Sequence, residues 1–223
     1  MITTAPELIY MLKVNIGIAL FYAFYKLFCC RDTFFQWRRI TLLSFLALSF
    51  LYPLMDMQAW VKEQPAINEL ADYYALMMLT ETNTSTATVV TVPVAIPTPD
   101  LLDIIKFVYW IGILLLSARF MIQLSSIFHL VLKSKSINVD QISIRSLSEP
   151  ANPFSFWQWI FIYLPGLKED EKQEILTHEQ THVRQWHSID VIISEIVNII
   201  CWMNPFAWLL KTEIRLNLEY LAD

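Results

Sequence analysis

The spacing of hydrophobic and polar positions divides the chain into two parts. Residues 8–28 form an apolar run interrupted only by Lys13 and Lys26, residues 40–55 carry no charge, and residues 101–124 form a third run with Arg119 near one end. A hydrocarbon core of about 30 Å takes about 20 apolar residues as a helix. The three runs therefore predict transmembrane helices at about 8–28, 38–55 and 101–124. Lys13 and Arg119 lie close enough to a helix end to snorkel. The second run is short, but Trp37 and Trp60 flank it as interfacial anchors. Beyond residue 133 the period changes. Ile142 and Ile144 alternate with polar neighbours, as in a half-buried strand. An aromatic and β-branched run over 157–164 ends at Pro165-Gly166 and predicts a second strand, antiparallel to the first. Residues 149–154, with two prolines and an asparagine, make the loop between them. After Gly166, the run Leu-Lys-Glu-Asp-Glu-Lys-Gln-Glu places acids in the first turns of a helix expected to reach about residue 186. The expected fold is a mainly α membrane protein. Residues 1–132 carry three transmembrane helices and an outer loop at 56–100, and residues 133–223 form an α+β domain with a small antiparallel sheet.

Composition strengthens the membrane assignment. Of 223 residues, 56% are hydrophobic and 17% charged, against roughly 45–50% and 25% in a typical globular chain. The aromatic content of 14% excludes a wholly disordered chain. A net charge of −5 gives no case for nucleic-acid binding. Cys29, Cys30 and Cys201 cannot form a disulfide framework and are expected as reduced thiols. The first run lacks the basic flank and small-residue cleavage site of a signal peptide. Residues 26–39 hold Lys26, Arg31, Arg38 and Arg39, whereas residues 56–103 hold Lys62 alone among bases. Counting bases places the first loop in the cytoplasm and the N-terminus outside. The domain after the third helix is then cytoplasmic. Residues 82–99, rich in Thr, Val and Pro, read as an extended spacer in the outer loop.

The chemistry is concentrated on the helix after Gly166, which contains His178-Glu179-Gln180-Thr181-His182. Residues four apart share a helix face, so both imidazoles can reach one Zn²⁺ with bonds of about 2.0–2.1 Å. Glu179 points to the side, where it can accept a proton from water and pass it to a leaving amine. A shuffled chain of this composition contains the pattern less than about 1% of the time, so a merely solvated helix with two histidines is a poor account. A catalytic zinc also needs a third protein ligand. His187 and Asp190 follow closely, but on a continuous helix His187 lies about 140° around from His182 and should face elsewhere. Glu219, on a later helix, is the better candidate, against the plain alternative of an exposed helix carboxylate. Asp223, one turn on, could then hydrogen-bond a ligand imidazole. Arg184 and His187 are further candidates for substrate or transition-state contact, weighed against an ordinary polar helix face. If His178 and Glu219 share one ion, residues 190–210 cannot cross the bilayer once. The chain must turn back, and Asn204-Pro205 offers the place, with a second helix over 206–223.

Several segments resemble one family. Pro153-Phe-Ser-Phe, Ile160…Leu164-Pro165, the run from His178 to Asp190, Trp202-Met-Asn-Pro-Phe206 and Glu219-x-x-x-Asp223 resemble the BlaR/MecR-type membrane metallopeptidases in the same order. These are antirepressors of β-lactam sensing and their relatives, including TonB-linked forms in Bacteroidetes-like bacteria. The resemblance implies a gluzincin-like domain with one catalytic zinc on His178, His182 and Glu219, and Glu179 as general base. It implies an endopeptidase in a bacterial inner membrane that cuts a cytoplasmic repressor-like regulator, or itself, after an external signal. The expected partners are membrane lipid and that protein substrate, and a homodimer is compatible with the sequence. The alternative is a non-catalytic scaffold or signal relay with a structural zinc, for which Glu179 would have no use. Family members usually continue past the Glu-x-x-x-Asp motif, so a truncated form is expected. No Ser-x-x-Lys occurs in the sequence, so acylation by a β-lactam is not expected of it.

Overall fold

The computed structural model describes residues 6–29, 33–55, 101–139 and 142–223. Residues 56–100, expected as an outer loop with Trp60 and a spacer at 82–99, lie outside the described residues, as do Cys30 and Arg31 of the basic loop. The elements are α1 (Pro6–Phe24, extended by a π-turn over Tyr25–Cys29), α2 (Phe35–Leu51, followed by a 3₁₀ turn over Tyr52–Leu54) and α3 (Leu101–Lys133). Four strands follow: β1 (Lys135–Val139), β2 (Ile142–Ser146), β3 (Phe154–Phe156) and β4 (Trp159–Ile162). The chain ends with α4 (Glu169–Arg184), α5 (His187–Ile200) and α6 (Pro205–Ala222).

Two stretches, Glu7–Cys29 and Leu101–Lys133, are helices long and apolar enough to cross a membrane. Along α3, Phe107, Trp110, Leu114, Leu115 and Ile122 are exposed, which suits a lipid-facing surface and not water. The seventeen residues of α2 span only about 26 Å.

Between residues 187 and 222 the chain forms a helical hairpin. α5 ends at Ile200, the chain turns over residues 201–204, and α6 begins at Pro205, as the Asn204-Pro205 signal predicts. Asn204 caps α6 by accepting from Phe206 N at 3.0 Å, and its Nδ2 donates to Asn15 O of α1 at 3.1 Å. Trp202 packs on α3 at Gly112, where a Cβ would lie 2.3 Å from the indole. Only glycine admits this approach. The Tyr109 hydroxyl, one turn before, donates to Ile200 O at 2.7 Å and satisfies a carbonyl at the end of α5. Tyr25, Leu42, Leu46, Leu210, Ile214 and Leu218 form one core where α1 and its π-turn, α2 and α6 meet. A second core joins Val14 and Ile18 to Cys201 and Ala207.

The sheet corrects one expectation. Its order is β1-β2-β4-β3, and β2 pairs with β4 in parallel, with Ile144 opposite Ile160. It is therefore mixed, not antiparallel. The cause is β3, a three-residue strand inside the Pro- and Asn-rich segment. It forms a hairpin with β4, Phe156 opposite Trp159, and this extra reversal returns β4 in the direction of β2. Trp157 takes φ 56° at the hairpin turn, a left-handed conformation costing roughly 1–2 kcal/mol in a non-glycine residue. Its N–H donates to Ser188 Oγ at 2.8 Å, and its ring meets Trp186 edge-on at 5.0 Å. Ile160 and Leu176, with Ile144 and Val183 against them, join the sheet to α4.

Candidate metal centre

α4 starts where Lys168 N–H donates to the Glu171 carboxylate at 3.4 Å, with three acids in its first turn. It buries Leu176 and Glu179, which fixes its rotation and turns His178 and His182 toward α6. Their Nε2 atoms lie 3.3 Å apart. Glu219 Oε2, arriving from α6, lies 3.6 Å from His178 Nε2 and 3.8 Å from His182 Nε2. One donor atom from each residue fits within 4.8 Å of the other two, a group able to hold a metal ion.

The donor spacing fits such an ion. Ligand bonds of about 2.0–2.2 Å in a tetrahedron put neighbouring donors about 3.3–3.6 Å apart. The three separations lie close to that edge length. Asp223 Oδ1 stands 3.1 Å from His178 Nδ1, so the His178 proton sits on Nδ1 and Nε2 presents its lone pair to the centre. Burial holds the His182 pKa below its ordinary value, against the opposing pull of Glu219 and Glu179. A neutral imidazole is the form that binds metal.

His178, His182 and Glu219 line a cleft of about 610 Å³, bordered by β3, α4, the start of α5 and α6. Glu179 lies in it, 7% exposed. Among the described residues, none donates a hydrogen bond to the Glu179 carboxylate. Glu219 and Asp223 are exposed at the rim.

Arg184 and His187, the two candidates for substrate contact, take different places. Arg184 is exposed on α4 and does not line the cleft. His187 does not face away from His182. α4 stops at Arg184 and not at 186, because Trp186 adopts φ 58°, and this left-handed residue swings the chain into α5. His187 Nδ1 thus comes 2.8 Å from His182 Nδ1. His187 is 2% exposed, and burial, then His182 and Arg39, push its pKa down to about 4. Asp190 stands outside the donor group: it is buried and pairs with Arg39 of α2, Nε to Oδ2 at 2.6 Å.

Ser188, Arg215 and β3, which no sequence motif marked, also line the cleft. Arg215 precedes Glu219 by four residues, so helix periodicity alone would place it on the same face. It is held by Glu195, Nη2 to Oε1 at 2.6 Å. β2 and β4 are both interior to the sheet, and each is already paired on both sides. The edge beside the cleft belongs to β3.

Two histidines from one helix and a carboxylate from another, beside a buried glutamate, make this a metallopeptidase type of arrangement. A sequence profile of the BlaR1 peptidase M56 family matches residues 11–223, and the chain belongs to that family. Membership implies metallopeptidase activity and association with a membrane. No curated protein matches the chain.

Proposed function

We propose that the chain is a zinc endopeptidase of a membrane signalling system, cleaving a cytoplasmic, repressor-like regulator or itself. The observation that carries this reading is the convergence of His178, His182 and Glu219 beside Glu179 in one cleft. A bound zinc ion supplies Lewis-acid polarisation of the scissile carbonyl and acidifies water. His178, His182 and Glu219 hold it, and Asp223 orients His178. Glu179 accepts the proton of the attacking water and delivers it to the departing amine, a role that suits a carboxylate with no hydrogen-bond donor among the described residues. A peptide adds as a strand along the free edge of β3, which presents it to the α4 face. Arg215 at the rim attracts the acidic side chains or carbonyls of that peptide.

The same reading puts the protein in a bacterial inner membrane, N-terminus outside, with α1, α2 and α3 as crossings and the peptidase face in the cytoplasm. Glu213 of α6 supports this level: it binds Lys26 at 2.8 Å and Tyr25 at 3.1 Å, the basic end of the first crossing. The α5–α6 hairpin then dips into the membrane and returns, leaving the metal centre on one side. Membrane lipid and the cleaved regulator are its partners, and a homodimer is compatible with the surface. A scaffold with a structural zinc would gain nothing from a buried Glu179 that accepts no hydrogen bond among the described residues. The test is expression in native membranes of wild type beside Glu179→Gln, with proteomic detection of cleaved cytoplasmic proteins. Fragments present only with wild type support the proposal, and identical fragment sets reject it.

A further inference from the structure

The hydrogen bonds behind His182 form a chain that leads out of the metal centre and into α2. His182 Nδ1 faces His187 Nδ1 at 2.8 Å, so one of the two nitrogens carries a proton. His187 Nε2 faces Gln185 Oε1 at 3.2 Å. An amide oxygen only accepts, so His187 donates from Nε2 and its Nδ1 holds a lone pair. His182 must then donate from Nδ1, which leaves His182 Nε2 bare where it faces His178 and Glu219. Gln185 Oε1 takes a second donor, Gln36 Nε2 of α2, at 3.3 Å. The reverse register needs both amides turned over, and it puts a proton on His182 Nε2, where no metal could bind.

The surroundings hold this chain in place. Trp186, between Gln185 and His187, is the left-handed residue at the α4–α5 break. Arg39 of α2 grips both sides of that break, donating from Nη2 to Gln185 O at 2.8 Å and from Nε to Asp190 Oδ2 at 2.6 Å. The end of α2 is therefore fastened to the segment that positions His187.

We propose that His187 is a positioning residue that fixes the metal-binding tautomer of His182, and that Gln185 and Gln36 tie that tautomer to the position of α2. A displacement of α2 against α4 then lowers metal affinity, giving a transmembrane signal a route to the centre. This rests on His182 being a ligand, as the proposed function has it.

The test uses the full chain in nanodiscs, titrated with Co²⁺ and followed by the visible absorption of the bound ion. Wild type sets the reference, and a wild-type chain that takes up no Co²⁺ overturns the metal centre itself. With wild-type binding in hand, His187→Ala is expected to weaken Co²⁺ about 10–100-fold, as loss of a group that orients a ligand does. His187→Asn restores most of the affinity, because its Oδ1 can accept where Nδ1 did. Gln36→Ala, at one further remove, weakens binding about threefold. Should His187→Ala fail to fold, Gln36→Ala and Gln185→Leu carry the comparison. Affinities equal to wild type within about twofold in these variants overturn the relay. A loss in His187→Ala with none in Gln36→Ala overturns its connection to α2.

Discussion

Replacing Arg39 with alanine is expected to destabilise the protein by about 3 kcal/mol. Asp190 is 4% exposed, and Arg39 approaches it to 2.6 Å while its own side chain keeps 19% exposure. Truncating Arg39 leaves the carboxylate buried without a partner, which costs about 3–5 kcal/mol in comparable pairs. It also removes the donor to Gln185 O, worth about 1 kcal/mol. The partial exposure of Arg39 lets water reach the gap, so the lower end of that range applies. Asp190→Asn in the Arg39→Ala background removes the stranded charge and is expected to recover most of the loss. The assay is reversible unfolding in mixed micelles, followed by tryptophan fluorescence, on wild type, both single variants and the double. A loss below about 1 kcal/mol for Arg39→Ala, or no recovery in the double variant, would refute the buried-pair reasoning.

Three further outcomes are expected. His178→Ala should abolish metal occupancy, whereas Asp223→Ala, acting through His178 from an exposed position, should weaken binding about tenfold, both checked by metal analysis and zinc competition. Gly112→Ala should separate α3 from the α5–α6 turn at a cost of about 1–3 kcal/mol, because its Cβ would overlap the Trp202 indole. Trp202→Ala in the same chain should remove that overlap, and thermal unfolding of the single and double variants tests it. Cysteine accessibility mapping should place residues 26–39 and 170–190 on the cytoplasmic side, and an outer location for 170–190 would reject the proposed orientation.

The parts legible in the sequence were those set by short-range spacing. His178 and His182 share a face because they are four residues apart. The hairpin turn at Asn204-Pro205 carries its own signal, since proline cannot continue α5. Glu219 followed from its place on a later helix and from the family resemblance, and the requirement that two ligands of one ion lie on one side of a membrane then gave the turn before it. His187 was misplaced because nothing in Arg-Gln-Trp-His marks a left-handed residue. Such sites usually carry Gly or Asn, and here tertiary contact between Trp186 and Trp157 accompanies the break. One hint was present, since Asp190 sits as an acid in the first turn of a new helix. The sheet direction was misread because β3 has three residues, too few to show a period of two amid prolines. The contact of Gly112 with Trp202 links residues ninety positions apart, beyond any local pattern.

The proposed function stands on His178, His182 and Glu219 binding one zinc ion beside Glu179. Zinc K-edge absorption of the purified full chain, with metal content measured on the same sample, tests it most directly. The expected result is one zinc per chain with two imidazole nitrogens in its shell, unchanged in Glu179→Gln and losing an oxygen ligand with lower affinity in Glu219→Gln. Full occupancy with an unaltered shell in Glu219→Gln, or a wild-type chain that binds no zinc, would contradict it.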